Sequence, residues 1–172
     1  CQTAAMVMDV RPSLEAEMYQ ASLDEQMPVF LDEQRATLVA CLDGLTDEQA
    51  RRRLVPSSTT LLGLVKHATF VEQVWFDEAV TARTRAEIGI PATVDESFEL
   101  ADDDTIDSVV ARYREVCEQS RRTLRGRSLD DVVSGNRRGP MTLRWVCLHA
   151  LREIAQHGGH ADILRELVLA EG

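Results

Sequence analysis

Glu153 and His157 stand four residues apart in a run whose other inward positions are apolar: Val146 and Ala150 lead in, and Ala161, Leu164 and Val168 follow. Steps of three and four keep all of these on one side of a helix. A carboxylate held among such neighbours without a partner is costly, or takes up a proton. A divalent cation removes that cost. Residues four apart sit about 6 Å from one another along the helix axis and nearly eclipsed, so both can reach one ion. A third ligand has to come from a facing helix. His67 is the one histidine outside the final segment, and Leu64 and Val71 flank it at steps of three and four. Three protein ligands leave a coordination position open, as in catalytic rather than structural sites. The spacing also admits a plainer reading, in which Glu153 pairs with His157, Arg144 or Arg152 and His67 is a hydrogen-bonded core residue. Gly158 and Gly159, side by side, cost a helix roughly 2 kcal/mol relative to alanine. They are expected where a neighbouring helix or ligand approaches the backbone. His149, four residues before Glu153, is a candidate hydrogen-bond partner for it, and Trp75 and Trp145 are expected to pack in the core.

Four long helices are needed to position these groups. Ser22 and Glu25 have the spacing of a capping box, and Pro28 fits the first turn of a helix, where its missing amide does no harm. Leu31, Leu38, Leu42 and Leu45 then share a face, with Asp32, Glu33 and Arg35 expected off it, and Gly44 marks the end. Thr46 and Gln49 form a second capping pair. Ser57 or Ser58 is expected to cap a helix from about 59 to 82, with Leu61, Leu64, Val65, Ala68, Val71, Trp75 and Ala79 inward. A third helix is expected to open on the acidic run Asp102–Asp104, where carboxylates favour the helix dipole, and to stop at Gly126. The last runs from about Met141 to Ala170. No strand pattern competes, so the fold class is all-α, a four-helix bundle. Residues 1–21 read as an irregular arm and 22–172 as the domain.

Composition bounds the function classes. The 172 residues carry a formal charge of −10, which disfavours nucleic acid and anionic membrane as partners. Two local arginine groups, at 51–53 and at 121, 122, 125 and 127, read as solvated helix ends. No apolar run approaches the roughly 20 residues of a membrane span. The first ten residues lack a signal-peptide pattern, so the expected location is cytoplasmic. Cys1, Cys41, Cys117 and Cys147 form no CxxC pair, and the last three read as small buried hydrophobes.

The stretch Met141–Leu167 resembles the C-terminal helix of the DinB-like superfamily, closest to its actinobacterial, mycothiol-dependent branch. That branch holds mycothiol S-transferases and proteins like the maleylpyruvate isomerase N-terminal domain. Ser58–His67 is similar to the branch's second helix, and the likeness spans about residues 22–170. The superfamily's common pattern is one His on helix two plus His-x3-His on the last helix, then Arg-Gly-Gln. Here Glu153 stands at the first of the paired positions, as in the mycothiol branch, and His157 at the second. His160 stands where the Gln is usual, which leaves it open to a role as a neighbour of the ligands, a fourth ligand or a proton carrier.

The resemblance implies that His67, Glu153 and His157 hold a divalent metal. Zinc is the leading expectation, with nickel, iron or manganese also fitting such ligands. It implies a thiol transferase in which mycothiol, activated as its thiolate, is conjugated to a small electrophile, with His160 as the catalytic group that moves a proton. The absence of the further domain that accompanies isomerase members points to conjugation rather than isomerisation. A homodimer is compatible with the resemblance. Two other functions fit the same three ligands: a metal-dependent hydrolase, and a non-catalytic metal-binding or stress-response bundle.

Overall fold

The computed structural model describes residues 18–170. The expected irregular arm, Cys1 included, lies for the most part outside the described residues. Four long helices form the bundle: α1 (Leu23–Ala40), α2 (Leu61–Glu72), α3 (Ile106–Leu124) and α4 (Leu143–Ala170). α2 continues through a π-helical stretch, Gln73–Glu78, into a last turn, Ala79–Thr81. α1 packs on α4, and α2 packs on both α3 and α4. Among the described residues, no helix is long and apolar enough to cross a membrane.

Local chemistry sets most of the boundaries, with some shifts from the sequence reading. The Ser22–Glu25 capping box forms, with the Ser22 amide donating to Glu25 at 2.9 Å, so α1 starts at Leu23 and carries Pro28 inside rather than in its first turn. The carbonyl that proline leaves unserved is that of Asp24, at an exposed position where water can replace the donor. The cap of α2 is Thr60, whose hydroxyl accepts from Gly63 at 2.9 Å, not Ser57 or Ser58. The cap of α3 is Thr105, so the acidic run precedes the helix. Asp104 instead takes the ammonium of Lys66 at 2.6 Å, and Arg51 donates to the carbonyls of Ala101 and Asp104. Arg51 is therefore a clamp on that connection, not a solvated end. Arg121 likewise reaches across to Asp32 on α1, at 2.9 Å.

Two further departures matter. The connection between α3 and α4 contains a short antiparallel pairing, Val132–Val133 with Met141–Thr142, which no alternation in the sequence announced. Gly135 in that connection donates to the carbonyl of Ala79 at 3.1 Å. A Cβ there would stand 2.1 Å from the Glu78 carbonyl oxygen, so only glycine lets this loop lie on the end of α2. The core also holds a charge pair: Arg35 is 5% exposed and Glu72 fully buried, joined by two bonds of 2.8 and 2.7 Å. Arg35 thus belongs to the inward face of α1 that was expected to exclude it.

Cys41, Cys117 and Cys147 are buried, as read from the sequence. Burial pushes the thiols of Cys41 and Cys117 up to about 12 and that of Cys147 up to about 11, so none of the three offers a thiolate near neutral pH.

Candidate metal centre

α2 and α4 bring His67, Glu153 and His157 together, with one donor atom from each lying within 4.8 Å of the others. The two imidazoles meet edge to face, ring centres 4.7 Å apart. Glu153 Oε2 is 4.0 Å from His157 Nε2, beyond hydrogen-bonding distance. Nδ1 of His157 is buried with no hydrogen-bond partner among the described residues. Donors around a zinc-sized ion are separated by roughly 3.3 Å. The group is slightly looser than that and otherwise fits a cation in donor type, since each member can present a lone pair.

His67 is the most firmly held of the three. It is 4% exposed and stacks on Phe98, ring centres 3.9 Å apart and 10° from parallel. Its Nδ1 lies 2.7 Å from Ser97 Oγ. The Ser97 hydroxyl proton is committed to the Val94 carbonyl, so Ser97 Oγ accepts and His67 Nδ1 carries the hydrogen. That fixes the tautomer and leaves Nε2 as the free lone pair, the usual arrangement for a ligating imidazole. Ser97 sits on a 3₁₀ turn, Asp95–Phe98, in the connection between α2 and α3, where no periodicity in the sequence pointed to it.

Burial, with the nearby His157 second, depresses the His67 imidazole to about 3. Burial likewise lowers His157, partly opposed by Glu153. Both rings are therefore neutral at neutral pH, as a ligand must be. In the unfolded chain His67 protonates near its ordinary value of 6.5, while in the folded chain it resists down to about 3. The unfolded state thus binds more protons between those limits. Metal-free protein is expected to hold its full His67 contribution above about pH 6.5 and to lose stability steadily on acidification toward pH 3. Urea midpoints measured across that window check this: His67→Gln should show a shallower pH dependence than the parent, and an equal slope would contradict it.

The remaining sequence candidates fall around this group. His149 is buried, but its Nε2 is 3.7 Å from Glu153, too far for the expected hydrogen bond. Its Nδ1 accepts from Arg152 at 2.9 Å, and its ring lies flat on Trp145 and edge-on to Trp75. Trp75 is in the core as expected, whereas Trp145 is 41% exposed. His160 is exposed, with its ring centre 5.8 Å from that of His157, outside the group of three. No neighbouring helix of this chain closes on Gly158 or Gly159: a Cβ at either would meet nothing within 4 Å. A cavity of about 130 Å³ beside the group is lined by His67 and Glu153 together with Trp75, Asn136, Arg137 and Arg138. A larger hollow of about 330 Å³, between α1 and α3, shares no lining residue with it.

The family model for mycothiol-S-transferase matches residues 26–170. The chain belongs to this family. Membership of the mycothiol-S-transferase family agrees with the helical, DinB-like architecture described above. A solved structure of a conserved protein from Enterococcus faecalis is similar in fold, with a TM-score of 0.69 over 87% of this chain and 99% of that one. At 15% identity that likeness concerns the fold alone. No curated protein matches the chain.

Proposed function

We propose that this mycothiol-S-transferase family member is a metal-dependent enzyme that transfers mycothiol to a small electrophile, using His67, Glu153 and His157 as the metal ligands. One observation carries the reading: two neutral imidazoles and a carboxylate from two helices converge, with the His67 tautomer fixed by Ser97 so that its free nitrogen is available. Two nitrogens and one oxygen suit zinc, with nickel, iron and manganese as competitors. A divalent ion held there supplies Lewis acidity, which favours the thiolate form of a thiol at neutral pH.

The chain's own residues account for the rest. Glu153 contributes the negative charge that offsets a dication. Phe98 stacks on the His67 ring, and Trp75 lines the cavity that His67 and Glu153 share. His160 is proposed to pass the thiol proton to solvent, a part supported by its exposure and its place one turn beyond His157. Ser97→Ala frees the His67 ring to take either tautomer, and is expected to weaken metal affinity by about 10- to 100-fold, as loss of a ligand's orienting partner does. Competition against a chromophoric chelator measures it, and an affinity equal to the parent's would remove Ser97 from this role.

The deciding experiment is metal analysis of untagged protein followed by conjugation of a generic electrophile with and without mycothiol. The proposal expects one ion per site and a rate that rises with the thiol. A metal-loaded protein that hydrolyses esters and is inhibited by the thiol would reject it.

A further inference from the structure

The cavity beside His67 and Glu153 differs in charge from the molecule around it. The chain is strongly acidic, at −10, yet this lining holds three arginines and one carboxylate, Glu153. Arg85 is already engaged, donating to Glu78 at 3.2 Å and to the Ala92 carbonyl. Arg137 and Arg138 are different. Neither guanidinium has an acidic partner among the described residues, although an acidic protein offers many.

Both are exposed, and Arg138 is also held in place rather than left on a free loop. The Arg138 guanidinium sits 5.3 Å from the centre of the Trp75 ring and 6.0 Å from that of Trp145, in the geometry of a cation–π contact. Asn136, buried just before them, accepts from the Arg138 amide at 3.1 Å. Gly135 lays the loop on the end of α2, where no side chain would fit. Two guanidiniums without acidic partners, one of them held against the tryptophans, line the same cavity as His67 and Glu153, an arrangement that suits an anion of carboxylate size. At about 130 Å³ the cavity has room for a small group of carboxylate size beside His67 and Glu153.

We propose that the small electrophile carries a carboxylate, and that Arg137 and Arg138 select for it. This rests on the transferase reading for the identity of the second substrate, but the anion site itself can be tested without turnover. Both tryptophans of the chain, Trp75 and Trp145, lie against Arg138, so intrinsic fluorescence reports occupancy directly.

Propionate and its near-isosteric neutral amide, propionamide, are the binding probes. Propionate is expected to change the fluorescence saturably and propionamide to leave it flat. The double variant Arg137→Met/Arg138→Met, which keeps apolar stems over the rings, is expected to raise the propionate half-saturation about tenfold. Equal responses to the two probes would overturn the inference. So would saturation unchanged in the double variant, since the anion would then be held elsewhere, for instance by a bound ion.

Chloroacetate and chloroacetamide are the matching electrophiles with mycothiol. The thiol sulfur bonds to the methylene carbon, the C–Cl bond breaks, chloride leaves with the electron pair and the thiol proton goes to water. The ratio of chloroacetate to chloroacetamide turnover, each over its uncatalysed rate, is expected to fall about tenfold in the double variant. If neither compound reacts faster with the protein than without it, the transferase reading fails, while the propionate titration still decides the anion site.

Discussion

Glu72→Ala is expected to destabilise the fold by about 3–5 kcal/mol, because it strands a buried guanidinium. Arg35 spends its Nε and Nη2 on the two oxygens of Glu72, at 2.8 and 2.7 Å, and both side chains are shut away from water. The third bond, from Nη1 to Asp32, goes to a carboxylate that is 44% exposed and shared with Arg121, so it cannot balance the charge alone. For a domain of this size the loss corresponds to roughly 10 °C or more in melting temperature. Removing both charges is a different matter. Arg35→Met with Glu72→Leu keeps the volume and eliminates the desolvated ions, so its cost should be far below that of Glu72→Ala and can approach zero. Urea unfolding of the single and double variants separates the two cases. A double variant as unstable as the single one would mean that the pair contributes more than mutual compensation. The pair lies outside the candidate centre, so metal content should follow stability in this series and not fall independently of it.

That pair was within reach of the sequence. Leu31, Arg35, Leu38 and Leu42 follow one another at steps of four, three and four, and Glu72 follows Ala68 by four. Their charge, not their spacing, set Arg35 off the apolar face, although two opposite charges at inward positions of neighbouring helices can satisfy each other. The same spacing logic placed Glu153, His157 and His67 on inward stripes, and these come together because α2 and α4 face one another. It had nothing to act on at Ser97, which lies thirty residues from His67 on a single 3₁₀ turn and reaches it only through the path of the connection. Gly135 and Arg138 are hidden for the same reason: a loop has no period, and the contact of Gly135 with Glu78 is a tertiary fact. At Gly158 and Gly159 the helix half of the expectation fails, since no neighbouring helix of this chain comes within 4 Å of a Cβ at either position.

His157→Ala is expected to abolish stoichiometric metal binding while leaving the bundle folded. His157 is only partly buried and its Nδ1 has no hydrogen bond to lose among the described residues, so truncation leaves no stranded partner. His67→Ala removes a ligand too, but it also strips Ser97 Oγ of its donor and Phe98 of its stacked ring, so its stability cost is the larger of the two. Glu153→Gln isolates charge from shape. An amide oxygen can still approach an ion, yet two imidazoles without a carboxylate leave a dication uncompensated beside an apolar wall. Its metal affinity should therefore fall by at least about 100-fold, with circular dichroism unchanged. Mass-spectrometric metal content after exhaustive buffer exchange reads all three variants at once. Full occupancy in Glu153→Gln would return Glu153 to the plainer role of a partly buried partner for Arg152, which lies 3.3 Å from it, and would take the proposed transferase chemistry with it.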